Sequence, residues 1–314
     1  MKTASTLVVI VVLTTLAIPF SGTKSEENNP STNYQWVRAI DTGIKTWPRW
    51  VIPISNGDGT LFMIAKEGTW SSKDGLNWTK GPNNAGAAVR PGVAQAFFKE
   101  KLWLLGGMND WSEFTNEVWS STDGATWRRV VDRAPWTPRR NALVTVFNHR
   151  LWLFGGAESS GFRDVTPRRS YRDVWQSDDG VTWKRVPTIL PESEEQVVVF
   201  KQRLWLLGKA GAWSSADGIN WTSQGSGPPF SDRRAYGAVV YNDKIWLFGG
   251  IRGDTTTNEV WSTADGITWV RERSAPWYPR GGAYSVVFGG KLWIYGGKTG
   301  THYKQADDVW YMTR

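Results

Sequence analysis

Short apolar runs, broken by two-residue polar or glycine interruptions, recur along most of this chain. Residues 96–107 read AFFKEKLWLLGG. The same cadence returns at 145–156 (TVFNHRLWLFGG), 198–209 (VVFKQRLWLLGK), 239–250 (VVYNDKIWLFGG) and 286–297 (VVFGGKLWIYGG), with a weaker copy at 54–65 (ISNGDGTLFMIA). Apolar runs this short, bounded by tight polar turns, predict pairs of strands rather than helices. A second phrase follows: GTWSSKDGLNW at 68–78, NEVWSSTDGATW at 116–127, RDVWQSDDGVTW at 172–183, GAWSSADGINW at 211–221 and NEVWSTADGITW at 258–269. Its two halves predict two more strands joined by an Asp-Gly hairpin.

Four strands per unit, at roughly 40–50 residues per unit, is the pattern of an all-β six-bladed β-propeller built from four-stranded antiparallel blades. The second-strand aromatics fall at Phe62, Trp103, Trp152, Trp205, Trp246 and Trp293, one per blade. The last unit ends at DDVWYMTR without a fourth strand, whereas YQWVRAI at 34–40 has fourth-strand character. The N-terminal strand is therefore expected to pair with the C-terminal blade, so that no edge is left open. Trp70 and Trp213 are 143 residues apart, and Trp127 and Trp269 are 142 apart. That spacing predicts a duplicated three-blade half.

The double glycine after the second strand, the aromatic of the third strand followed by a Trp in the fourth, and the Pro-Arg before the next blade (as in APWTPRRNALVTVF) carry a family likeness. On these residues the chain resembles the kelch-type six-bladed propellers, including the galactose-oxidase-like group, over essentially all of 34–314. The resemblance implies the fold; that fold hosts enzymes and binding modules alike. The Ser-x-Asp-Gly-x-x-Trp turn is similar to the Asp-box of sialidases but one residue shorter. Its Asp (74, 123, 179, 217, 265) is expected to accept bonds from its own turn, and the next Gly to take positive φ. Five near-identical copies read as architecture, not catalysis.

Composition narrows the function. Residues 7–20 (LVVIVVLTTLAIPF) follow Lys2 and precede small polar residues, the layout of a signal peptide over 1–22, with 23–33 a flexible linker. No other long apolar segment exists, so a secreted, soluble domain without a transmembrane segment is expected, and a monomer. The 314 residues contain no Cys and two His, which excludes thiolate metal sites, disulfides and cysteine nucleophiles and leaves a Ser-His-Asp triad poorly supplied. No cofactor or metal is expected. A net charge of +8 favours an anionic glycan or an acidic protein surface as partner; export argues against nucleic acid.

Seventeen of the 22 tryptophans occupy second, third or fourth strands and read as core. Trp47, Trp50, Trp111, Trp136 and Trp277 lie in loops that the topology puts on one face. Thirteen residues before each second-strand aromatic stand Arg49, Arg90, Arg139, Glu192, Arg233 and Arg280. These ten tryptophans and arginines are the expected ligand-binding residues: guanidinium groups grip carboxylate or sulfate bidentately, and indole faces suit sugars and cations; the structural alternative is that each tryptophan packs over a blade edge beside its prolines and that the arginines bond neighbouring loops, as the kelch resemblance implies. The alternative is an enzyme on acidic sugars, a sialic acid mutarotase or sialidase-like, drawing on Glu113, Glu158, Asp164, Glu192, Glu194, Asp232 or Asp254 with Tyr278 or Tyr303. No pair among them is singled out by spacing. A structural protein–protein platform is the third reading. The tripeptide Arg252-Gly253-Asp254 and the sequons at Asn77 and Asn220 complete the candidates.

Overall fold

The computed structural model describes residues 34–39, 52–65, 68–81, 88–109, 113–158, 169–191, 194–209, 211–225, 232–300 and 304–314. The expected signal peptide and linker lie outside them. The described residues are all-β, and no helix among them is long and apolar enough to cross a membrane.

The predicted phrases form six four-stranded antiparallel sheets. Sheet 1 holds Ile52–Ser55, Leu61–Ala65, Gly68–Ser72 and Thr79–Lys80; sheet 2 holds Ala94–Phe98, Lys101–Leu105, Val118–Ser121 and Arg128–Val131. Sheet 3 holds Leu143–Phe147, Arg150–Phe154, Val174–Ser177 and Lys184–Val186; sheet 4 holds Glu194–Phe200, Arg203–Gly208, Gly211–Ser215 and Thr222–Ser223. Sheet 5 holds Gly237–Tyr241, Lys244–Phe248, Val260–Thr263 and Val270–Arg271. Sheet 6 takes Tyr284–Phe288, Lys291–Tyr295 and Val309–Thr313 from one end of the chain and Gln35–Ala39 from the other, paired from Gln35↔Thr313 to Ala39↔Val309. First strands of successive sheets lie side by side, and that of sheet 6 lies beside that of sheet 1.

In sheets 2 to 6 the first hairpin turns in two residues, both at positive φ: Lys99-Glu100, Asn148-His149, Lys201-Gln202, Asn242-Asp243 and Gly289-Gly290. That geometry matches the strand twist but strains residues with a Cβ. A fixed bond sits beside each turn, because the second-strand indole donates to the last carbonyl of the first strand. The distances are 2.9 Å for Trp103 to Phe98, 3.0 Å for Trp152 to Phe147, 3.1 Å for Trp205 to Phe200, 3.0 Å for Trp246 to Tyr241 and 2.9 Å for Trp293 to Phe288.

The Asp-Gly turns do more than reverse the chain. In each, the Ser or Thr hydroxyl accepts from the glycine amide at 2.8 Å, and the Asp Oδ1 accepts from the two following amides. The glycine then lies flat against the second-strand aromatic of the preceding sheet. A Cβ on Gly124 would meet Phe62, on Gly180 Trp103, on Gly218 Trp152, on Gly266 Trp205, and on Gly75 of sheet 1 it would meet Trp293 of sheet 6. Sheet 6 has no such turn. There Tyr34 covers Trp246, with ring centroids 4.9 Å apart. The repeated turn is thus an inter-sheet latch as well as a hairpin.

Acid sensitivity follows from these turns. Desolvation alone would raise the turn carboxyls, but the following amides and the Ser or Thr hydroxyl outweigh it, holding Asp74 and Asp265 at about 2. Asp123 and Asp179 are lowered in the same way, and Asp217 is lowered chiefly by the Asn220 amide. Because the folded values lie below the unfolded ones, this stabilisation is complete above about pH 4 and is lost as pH falls towards 2. Melting temperature followed by circular dichroism is expected to hold from pH 7 to 5 and to fall steeply below 4. Asp265→Asn should melt lower at neutral pH and show a shallower acid limb; an unchanged limb would mean that the turn carboxylates carry no such stabilisation.

Candidate functional site

The arginine series is the natural starting point. Arg90, Arg139, Arg233 and Arg280 each precede a first strand, and each meets a carboxylate two residues before a third-strand tryptophan. Arg139 is 1% exposed and grips Asp173 through both terminal nitrogens, at 2.5 and 3.0 Å. Arg280 holds Asp308 alike at 2.6 and 2.9 Å. Arg90 reaches Glu117 at 2.7 Å, and Arg233 bonds Glu259. The carboxylate then accepts the indole N–H of its own strand: Trp119 to Glu117 at 2.9 Å, Trp175 to Asp173 at 2.8 Å, Trp261 to Glu259 at 3.2 Å and Trp310 to Asp308 at 2.8 Å. Desolvation would raise Asp173, Glu259 and Asp308, but their arginines overcome it and lower all three.

The double glycines belong to the same module. The Gly107 amide donates to the Arg139 carbonyl at 2.8 Å, and a Cβ on Gly106 would stand 2.7 Å from that oxygen. The Arg139 guanidinium in turn donates to Gly155 O of the next sheet at 2.8 Å, as Arg280 does to Gly296 O at 2.7 Å. One arginine thereby ties the glycine pairs of two successive sheets. The modules also recur with a period of three sheets: sheets 2 and 5 use Glu, sheets 3 and 6 use Asp, and sheets 1 and 4 carry Gly68 and Gly211 at the carboxylate position.

Arg90, Arg139, Arg233 and Arg280 each spend their charge on a carboxylate of the protein, because a buried guanidinium without a partner would cost several kcal/mol. Trp136 and Trp277 are 2% and 3% exposed. Trp136 sits edge-on to Trp183 at 4.7 Å, and Trp277 edge-on to Trp36 at 4.3 Å. Their loops are pinned by Asn116 and Asn258, whose amides donate to the carbonyls of Ala134 and Trp136 and of Ala275 and Trp277. Packing an indole buries a large apolar area, and here that gain is taken inside the fold. Trp47, Arg49, Trp50, Trp111, Asp164, Glu192 and Tyr303 lie outside the described residues. Arg252 of the Arg-Gly-Asp tripeptide is tied to Asp232 at 2.6 Å.

Two features escaped the sequence reading. Tyr171 donates its hydroxyl to Glu158, with Arg139 over its ring at 4.1 Å. Desolvation and the Glu158 carboxylate raise the phenol pKa, so it stays a neutral hydrogen-bond donor. The other is a cleft of about 390 Å³ at the outer margin between sheets 3 and 4, walled by Trp213, Trp221, Ile189 and Ile219. Its signal in the sequence is that the fourth unit alone has Glu192 at the arginine position and Ser223 at the position of Lys80, Arg129, Arg185 and Arg271. Among the described residues no three His, Asp or Glu side chains converge as a metal site requires.

No protein-family model matches the chain, and a search of curated proteins returns no match. Fold and site together define an all-β domain of four-stranded antiparallel sheets tied to one another by arginine–carboxylate–tryptophan modules.

Proposed function

We propose that residues 34–314 form a six-bladed propeller of the kelch type, exported from the cell, that works as a binding module for an anionic glycan or an acidic protein surface. The cyclic adjacency of the first strands and the packing of Gly75 on Trp293 support the propeller reading. The double-glycine and arginine modules support the kelch likeness. The apolar run at 7–20 and the lack of Cys support export.

One observation carries the binding reading. Four of the loop arginines are paired internally, while exposed Arg38, Lys80, Arg128, Arg129, Lys184, Arg185 and Arg271 line the outermost strands, of which Arg129 and Arg271 pair with Glu117 and Glu259. Arg128, Lys184 and Arg185 have no ion-pair partner among the described residues. Such charges also discourage edge-to-edge pairing; a band of them attracts polyanions over about a Debye length. An enzyme acting on acidic sugars would need guanidinium groups free for the substrate carboxylate, and four of the ring arginines are committed elsewhere.

Retention on immobilised heparin and on polyglutamate tests the proposal. The full chain is expected to bind at low salt and elute as salt rises. Arg128→Gln/Lys184→Gln/Arg185→Gln should elute markedly earlier with an unchanged melting temperature. Elution of both proteins at the same salt concentration from both supports would refute the outer-strand reading.

A further inference from the structure

Third-strand tryptophans are treated one way by five sheets and another way by sheet 4. Directly across the outer strand from the indole stands a cation in five of them: Lys80 opposite Trp70, Arg129 opposite Trp119, Arg185 opposite Trp175, Arg271 opposite Trp261 and Arg38 opposite Trp310. Lys80 Nζ lies 5.3 Å from the Trp70 ring and the Arg129 guanidinium 5.8 Å from that of Trp119. In sheet 4 the residue opposite Trp213 is Ser223, and the carboxylate position is Gly211. Among the described residues the Trp213 N–H has no hydrogen-bond partner, unlike those of Trp119, Trp175, Trp261 and Trp310. Trp221 is also without one, whereas Trp127 and Trp183 donate to their turn glycines at 3.0 and 3.1 Å.

Sheet 4 has therefore exchanged an ionic cluster for an uncharged aromatic surface, and that surface walls the 390 Å³ cleft. The opposite wall is aliphatic. Ile189 is 71% exposed, and Thr188 fixes the wall by donating to Ile219 O at 2.8 Å across the two sheets. Polar groups stand on the rim: Arg172, whose Nε donates to Leu190 O at 2.6 Å, and Asn220, whose Nδ2 donates to Asp217 at 2.8 Å.

We infer that this cleft is a carbohydrate subsite for an uncharged pyranose unit. Indole and isoleucine faces match the C–H faces of the sugar ring, and the rim amide and guanidinium match its hydroxyls. The loss of the neighbouring charges spares the ring the desolvation cost that an ion pair in the cleft would impose. The assignment rests on the glycan-binding reading above but uses a different surface from the basic outer strands.

Isothermal titration and saturation-transfer NMR of the full chain with cellohexaose, chitohexaose and maltohexaose provide the test. At least one is expected to bind saturably, with an affinity of about 1 mM or better. Ile189→Asp, a change at an exposed position, should weaken it by about tenfold or more without lowering the melting temperature, and Trp213→Leu should abolish it. The Arg128/Lys184/Arg185 glutamine variant should bind the neutral sugar as the parent does. Absence of saturable binding for all three sugars, or binding unaffected by Ile189→Asp and Trp213→Leu, overturns the subsite. Heparin retention that persists in that case leaves the outer-strand reading standing.

Discussion

Gly180→Ala is expected to cost the protein about 3–5 kcal/mol, the sum of left-handed strain and core overlap. Gly180 has φ +80°, and a Cβ there would fall 2.3 Å from Trp103 Cη2 and 2.4 Å from Cζ3. The ring cannot swing aside: Trp103 is 2% exposed, and its N–H is fixed to Phe98 O at 2.9 Å. In a domain of this size such a loss lowers the melting temperature by roughly 6–15 °C. Gly253→Ala is the matched control. It too lies at positive φ, +56°, but a Cβ there meets nothing within 4 Å, so it should cost only about 1 kcal/mol. Calorimetric melts that place the two variants together would show that the turn does not latch onto the preceding sheet.

Asp173→Asn is expected to destabilise by about 3 kcal/mol or more, because it leaves the Arg139 guanidinium buried without its counter-charge. Arg139 keeps its bonds to Thr137 O and Gly155 O, at 2.9 and 2.8 Å, but neutral carbonyls do not replace a bidentate carboxylate. Removing both charges in Arg139→Met/Asp173→Leu should recover part of the loss, since the desolvation penalty vanishes with them. The exposed pair Arg150–Asp178, at 2.6 Å with side chains 46% and 63% exposed, sets the contrast. Asp178→Asn should cost less than about 1 kcal/mol despite its similar geometry, because solvent screens it. Urea unfolding curves decide the matter; equal midpoint shifts for Asp173→Asn and Asp178→Asn would place the arginine modules outside the folding energetics.

Much of the architecture was legible before any coordinates. The strand cadence, the Asp-Gly turns and the fourth-strand character of 34–40 are local patterns, and the four-stranded sheets and the Gln35–Ala39 pairing follow them. The site was read less well. Arg139 and Trp136 lie in loops between sheets, and their partners, Asp173 and Trp183, are remote in the chain. A usable signal did exist. The carboxylate two residues before the third-strand tryptophan (Glu117, Asp173, Glu259, Asp308) occurs in the same four units that keep the double glycine, and is glycine at 68 and 211. Reading that position with the arginine would have exposed the pairing, and its joint loss would have directed attention to sheet 4.

The chain by itself determined the strands, their turns and their number per unit, because side-chain alternation and turn chemistry act within a few residues. Only the tertiary structure decided which charges cancel, which indoles are buried and where a cleft is left. Arginine and carboxylate partners lie 26 to 34 residues apart in the chain for Arg233–Glu259 and Arg139–Asp173, and they meet only because the strand order of a sheet brings the starts of its first and third strands together on either side of its second.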